Sequence, residues 1–252
     1  MGKIFAVLLA LLAGTGVATA DPITIVTDAR TTSAFARLDV AGQTDQQTAD
    51  QGQEDALNAR ATAAIGTNFA QGVAGLISSI SDPARLAAFG HALGAFSTAE
   101  QGQASVVARF AVDFLLDQPF SYSFDGTFAV SDFPVTPTFA GTNEARWSVA
   151  LSSGDTFWLD LSDTKTGQLR DAGVLPAGLY RLVVDTSSSG FFQRPGTVDE
   201  ESQFNFSLGL TPLSPTPEPA SMTLLATGIA ALIAARRAAG AHRVPRKGQS
   251  AK

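Results

Sequence analysis

The side chains able to do acid–base or metal chemistry in this 252-residue sequence are mostly carboxylates. There are 23 Asp and Glu residues, two histidines and no cysteine. Glycoside hydrolysis needs only two carboxylates, one acting as acid and one as base or nucleophile. Asp113, Asp125, Asp155, Asp160 and Asp163 are the candidates. Asp113 and Asp160 alternate with apolar neighbours and are expected on a sheet surface. The other three fall at turn-like clusters, where Asp is favoured on backbone grounds alone. His91 is the only histidine outside the basic C-terminal segment that carries His242. Any Ser-His-Asp arrangement would have to use it, yet its Gly- and Ala-rich setting offers no carboxylate partner, so a structural or surface role is expected.

Without cysteine there is no thiol catalysis, no Cys-ligated zinc and no iron–sulfur centre. One histidine in the body excludes a multi-histidine metal site within one chain. Calcium takes oxygen ligands, and Asp199-Glu200-Glu201 or the Asp155/Asp160/Asp163 set are where it would bind. No spacing matches an EF-hand loop or a nonapeptide calcium repeat, so a solvated acidic surface is the expected reading. Trp147, Trp158 and Tyr180 could line a sugar platform. Trp158 is the best placed, because Phe157, Leu159 and Leu161 claim the opposite, inward face. The sequence therefore predicts no catalytic residue, no metal and no cofactor, with Trp158 as a candidate sugar contact.

The elements that must position these residues alternate with period two, the pattern of half-buried strands. Over 106–116 the even positions are Val106, Ala108, Phe110, Val112, Phe114 and Leu116. Phe120, Tyr122 and Phe124 alternate with serines. Trp147, Val149 and Leu151 oppose Arg146, Ser148 and Ser152, and Phe204, Phe206, Leu208 and Leu210 alternate with polar residues or glycine. Turn-forming clusters separate the runs at 152–155, 163–167, 175–178 and 187–190. The fold class predicted is all-β, an antiparallel β-sandwich, jelly-roll-like, with its core over 106–211. Residues 21–105 read as strands joining the same β body, with a polar Gln- and Asp-rich loop over 43–55. Residues 84–96 offer both a helical face and, with Gly90 and Gly94 disfavouring helix, a strand, towards which the reading leans.

The two ends differ from the body. Lys3, an unbroken apolar run over 4–13 and small residues Ala18 and Ala20 before Asp21 form the three-part pattern of a secretory signal peptide over 1–20. Between Asp21 and Thr216 there are 22 acidic and 10 basic residues, whereas 236–252 holds six basic residues and no acid. An acidic body repels phosphates, so nucleic-acid binding is not expected. Pro217-Glu218-Pro219 interrupts regular structure, because proline fixes φ and lacks an N–H donor. The sixteen uncharged residues 220–235 follow, about 24 Å long as a helix, and then Arg236 and Arg237. Extension to 241 with the arginines reaching to the interface could span a hydrocarbon core of about 30 Å. The basic tail 238–252 would stay cytoplasmic by the positive-inside bias, the orientation the signal peptide also predicts.

A Pro-Glu-Pro triplet, a short apolar helix and an Arg cluster together resemble the PEP-CTERM sorting signal of Gram-negative bacteria. The resemblance covers about thirty residues, and the chain runs fifteen residues past Arg237 where the family usually stops soon after its arginines. It implies that Pro217, Glu218 and Pro219 are the recognition motif and that Arg236 and Arg237 are the stop signal. It further implies a membrane-embedded exosortase as partner, transient anchoring by the helix over 220–237, and a cell-envelope or extracellular setting often associated with exopolysaccharide. Residues 212–219 form the Pro-rich linker. The expected function is that of an exported, non-enzymatic envelope or matrix protein. The alternatives are a carbohydrate-binding module within exopolysaccharide and a secreted carboxylate-dependent hydrolase.

Overall fold

In the computed structural model the described residues are 23–80, 82–98, 101–132, 141–192, 196–213, 228, 229, 231 and 232. The period-two segments form strands in chain order: β1 Ile23–Asp28, β2 Thr31–Val40, β3 Gln43–Gly52, β4 Ala56–Ile65, β5 Asn68–Ser79, β6 Arg85–Thr98 and β7 Gln101–Leu116. Then follow β8 Phe120–Asp132, β9 Gly141–Ser153, β10 Thr156–Asp163, β11 Gly167–Leu175, β12 Gly178–Phe192 and β13 Gly196–Pro212. A seven-stranded sheet has the order β10-β9-β12-β7-β2-β3, with β1 paired to β7 beside β2. The six-stranded sheet has the order β11-β8-β13-β6-β5-β4. Every pairing is antiparallel. The two sheets form an all-β antiparallel sandwich within residues 1–212, with residues 213–252 a separate unit.

The interior divides by side-chain size. From β7 to β13 it is aromatic: Phe110 and Phe124 pack on Phe206 with ring centroids 5.1 and 5.6 Å apart, within a buried cluster that also holds Phe114, Phe120, Phe128 and Phe204. Around β2, β4 and β5 the interior is alanine, with Ala34, Ala36, Ala59, Ala61, Ala63, Ala70 and Ala74 all buried. Small side chains let the sheets approach closely. A Cβ on Gly72 would lie 3.1 Å from both the Phe35 carbonyl oxygen and Val106 Cγ2 on the opposite sheet. β6 and β7 run through both regions, carrying Leu86 and Phe110 in the aromatic cluster and Ala92 and Val106 in the alanine cluster.

Two features differ from expectation and one open choice is decided. The Gln- and Asp-rich stretch read as a loop is the strand β3, fully paired with β2 from Thr31↔Gly52 to Val40↔Gln43. It carries no apolar alternation because Ala49 alone among its residues packs against the alanine cluster, while two of its polar side chains reach across to β4. Asp45 Oδ2 accepts from the Ala64 N–H at 2.8 Å and Gln51 Oε1 from the Asn58 N–H at 2.6 Å. Residues 85–98 are strand, the alternative towards which the sequence leans, with Phe204 lying over the space that a Cβ on Gly90 would fill. The cluster at 187–190, read as a turn, lies inside β12 and is paired on both sides, with β7 and β9; its polar composition serves buried hydrogen bonds, Ser188 Oγ donating to the Glu200 carbonyl.

Arg30 clasps the two sheets together. It sits between β1 and β2, and its side chain is 4% exposed and donates to Asp28 at the end of β1, to Asp55 at the β3–β4 turn and to Ser78 on β5. The signal-peptide residues Ala18, Ala20 and Asp21 and the sorting residues Pro217, Glu218, Pro219, Arg236 and Arg237 lie outside the described residues. Of 220–237, Gly228, Ile229, Ala231 and Leu232 are described, with helical backbone. Among the described residues no helix is long and apolar enough to cross a membrane.

Candidate functional site

The three aromatic residues that could line a platform are not exposed together. Trp147 is a core residue, 7% exposed, stacked on Phe128 at 4.0 Å between centroids and donating its Nε1–H to the Lys165 carbonyl. Tyr180 is likewise buried, with its hydroxyl donating to the Pro176 carbonyl at 2.8 Å; burial raises its pKa. Trp158 is half-buried and packs edge-on against Tyr180 at 5.1 Å. The reason lies in a bulge: the pairing of β10 with β9 shifts register between Phe157 and Leu159, which breaks strict alternation. Leu159 points inward as expected, whereas Phe157 and Leu161 are 55% and 45% exposed.

Trp158 does line a cleft of about 320 Å³ between the edge strands β10 and β11, together with Leu161, Leu169, Arg170 and Asp171. Asp171 accepts a 2.5 Å hydrogen bond from the Tyr122 hydroxyl. Burial, and then this bond, hold the Tyr122 pKa well above the ordinary phenol range.

The candidate carboxylates are dispersed. Asp113 accepts from Thr27 Oγ1 at 2.5 Å and faces Arg181 at 3.6 Å, and Asp125 pairs with Arg170 at 3.1 Å. Asp163 accepts from the Thr164 N–H, and Asp155 and Asp160 are exposed. In the run Asp199-Glu200-Glu201 the strand sends Glu200 inward, where it is 1% exposed, and its neighbours outward. With successive side chains on opposite faces, the three do not converge on one ion. Among the described residues no three His, Asp or Glu side chains are grouped to hold a metal.

A larger groove than the one beside Trp158 lies on the outer face of the six-stranded sheet. It measures about 410 Å³ and is lined by Phe89, Thr127, Thr166, Gln168, Gln203 and Asn205. A smaller hollow of about 220 Å³ adjoins it across Phe89, with Asn58, Gly75, Ile77 and His91 on its walls. The pairing register puts these residues in two neighbouring rows that run across the strands. One row is Ala56↔Ile77↔Phe89↔Asn205↔Thr127↔Gln168, and the other is Asn58↔Gly75↔His91↔Gln203↔Ala129. His91, expected as a structural or surface histidine, therefore belongs to an aromatic pair. Its ring lies 6.1 Å from that of Phe89 and is tilted by 36°. It occupies the space over Gly75, where an added Cβ would be 2.2 Å from its Cε1. Period-two alternation marks these side chains as outward, but the rows exist only through register between six strands distant in sequence.

A family model described as PEP-CTERM protein-sorting motif matches residues 215–238. No curated protein matches the chain. Among solved structures, that of TmCBM61 in complex with beta-1,4-galactotriose is similar at 10% identity and a TM-score of 0.21, over 56% of this chain and 88% of that one. The GH31 alpha-xylosidase Xac1773 from Xanthomonas citri is similar at 7% identity and a TM-score of 0.17, over 75% of this chain and 28% of that one. At these scores neither likeness carries an argument.

Proposed function

We propose that this chain, which carries a PEP-CTERM sorting motif at residues 215–238, is an exported envelope or extracellular-matrix protein. It is held transiently in the membrane by the apolar helix over 220–237 and processed by an exosortase-type membrane protease at Pro217-Glu218-Pro219. The observation that carries this reading is the position of the matched motif, directly after a β-sandwich whose last strand ends at Pro212. The acidic body and basic tail support the same orientation, body outside and tail in the cytoplasm. Mass spectrometry of the mature C-terminus tests it. The expected product ends near Pro217–Pro219, and Glu218→Ala slows its formation. A cell-associated protein that still ends at Lys252 overturns the reading.

The body is read as non-enzymatic and jelly-roll-like. Its strand order supports the second description: β6 to β13 interleave as β6-β13-β8-β11 and β7-β12-β9-β10, the swapped order of two Greek keys. The pairing of Asp113 and Asp125 with neighbouring cations makes a carboxylate-dependent hydrolase the weaker alternative. Carbohydrate binding, the other alternative, is favoured by the uncharged amide-and-aromatic groove on the six-stranded sheet. Retention of the secreted protein on polysaccharide beads, set against hydrolysis of the same polymer, separates the two. Retention without release of sugar is expected, and turnover by the purified chain would remove the non-enzymatic reading.

A further inference from the structure

We propose that the two rows crossing the outer face of the six-stranded sheet form the binding site for a neutral, hydroxyl-rich polysaccharide laid across the strands. The proposal rests on the carbohydrate-binding reading above, and adds the site and the ligand class.

The length of the rows points to a polymer. The longer row crosses six hydrogen-bonded strands and the other five, so at about 4.8 Å per step the track runs roughly 24 Å. The groove and the smaller hollow lie on either side of Phe89 along this line, which leaves the phenyl ring as a ridge between two subsites. A compact ligand would need one enclosed cavity; a chain of rings uses an open track.

The chemistry of the rows points to sugar. Phe89 is 38% exposed and, with the tilted His91 ring beside it, presents an apolar surface on which the C–H face of a pyranose can rest. Gly75 makes this surface possible, because any side chain there would displace His91. Towards β11 the track changes character, with Gln203, Asn205, Thr127 and Gln168 in succession. The side-chain amides of Gln203, Asn205 and Gln168 are not held by hydrogen bonds among the described residues. Each amide offers both donors and an acceptor, which suits hydroxyls that also do both. A protein partner is a poorer match, since the core of a protein interface is largely apolar or aromatic and the rows hold only two large hydrophobic residues, Phe89 and Ile77.

Charge sets the ligand class. Neither row contains Asp, Glu, Lys or Arg, although residues 21–216 carry 22 acids and 10 bases. The charged pair Arg170–Asp125 and Arg60 lie on the neighbouring rows, outside the track. An anionic polymer would meet an acidic body with no cation in the groove to receive it.

The test is affinity electrophoresis and calorimetry of the purified full chain against a neutral glucan, a neutral mannan and an anionic polyuronate. At least one neutral polymer should bind, and the polyuronate should not. Phe89→Ala and the double substitution Gln203→Ala/Asn205→Ala should each weaken binding about tenfold or more, while Trp158→Ala leaves it within about twofold. All these positions are at least partly exposed, and unchanged far-ultraviolet circular dichroism and melting temperature will show that the variants fold. Binding that survives the Phe89 and amide substitutions but is lost in Trp158→Ala overturns the site and keeps the carbohydrate-binding reading. Binding of the polyuronate alone overturns the ligand class. Absence of binding to every polymer removes both the proposal and that reading, and self-association abolished by Phe89→Ala without sugar binding assigns the face to a second copy of the chain.

Discussion

Arg30 shows how much depends on where a charged pair sits. The guanidinium is buried and its two carboxylate partners are not equivalent: the side chain of Asp28 is 23% exposed and that of Asp55 is 82% exposed. Removing a partner from a buried ion is costly, whereas an exposed carboxylate contributes little. Asp28→Ala should therefore cost about 3 kcal/mol and Asp55→Ala below about 1 kcal/mol, measured by urea unfolding. The hydrogen bond from Arg30 holds the Asp28 carboxyl below its ordinary pKa. A depressed folded value means that this stabilisation is complete above the unfolded carboxylate range, near pH 4, and is lost as pH falls through the folded value. Unfolding measured down through that window should be flatter with pH in Asp28→Ala than in the unsubstituted chain. At the same scale, Trp158 shows what alternation alone cannot resolve: one bulge moved it into partial burial and turned Phe157 outward.

Among elements, β3 and β5 carry the clearest consequences. An edge strand exposes a row of unpaired N–H and C=O groups that can recruit another chain. β4 is such an edge, and Asp45 and Gln51 from β3 satisfy two of its N–H groups. The Asp45→Ala/Gln51→Ala variant should self-associate at concentrations where the unsubstituted chain does not, as read by light scattering. An unchanged scattering profile would show that β4 is protected by other means. β5 lies close against the opposite sheet at Gly72. Gly72→Val would push a side chain against the Phe35 carbonyl and Val106, and since backbone cannot yield without parting the sheets, a loss of about 2 kcal/mol or more is expected. Chemical denaturation of that variant measures it directly.

For the molecule as a whole, the aromatic and alanine regions are one body because β6 and β7 pass through both. Their unfolding should be a single transition. Trp147 and Trp158 both pack with the aromatic cluster, so their fluorescence reports on that region, while far-ultraviolet circular dichroism reports on all strands. The two midpoints should coincide, and should shift together when Gly72→Val is introduced in the alanine region. Separate midpoints would show that β2 to β5 melt independently.

Period-two patterning made most strands from 106 to 211 legible, along with their inward residues: Phe110, Phe114, Trp147, Val149, Phe204 and Phe206 are all buried as their alternation requires. The exception is the Ser- and Gly-rich cluster at 187–190, whose composition reads as a turn but whose residues are the interior of β12. The terminal sorting motif was equally plain, because a Pro-Glu-Pro triplet, an apolar run and paired arginines are contiguous and need no partner strand to be recognised. β3 was hidden, since its side chains serve hydrogen bonds to another strand and carry no hydrophobic signal. The groove was hidden for a related reason. Phe89, Gln203, Thr127 and Gln168 lie on four strands scattered over some 115 positions of sequence, and neighbours across a sheet are chosen by register. Alternation tells each strand which side faces the core, but only the pairing of the strands decides which outward residues stand side by side.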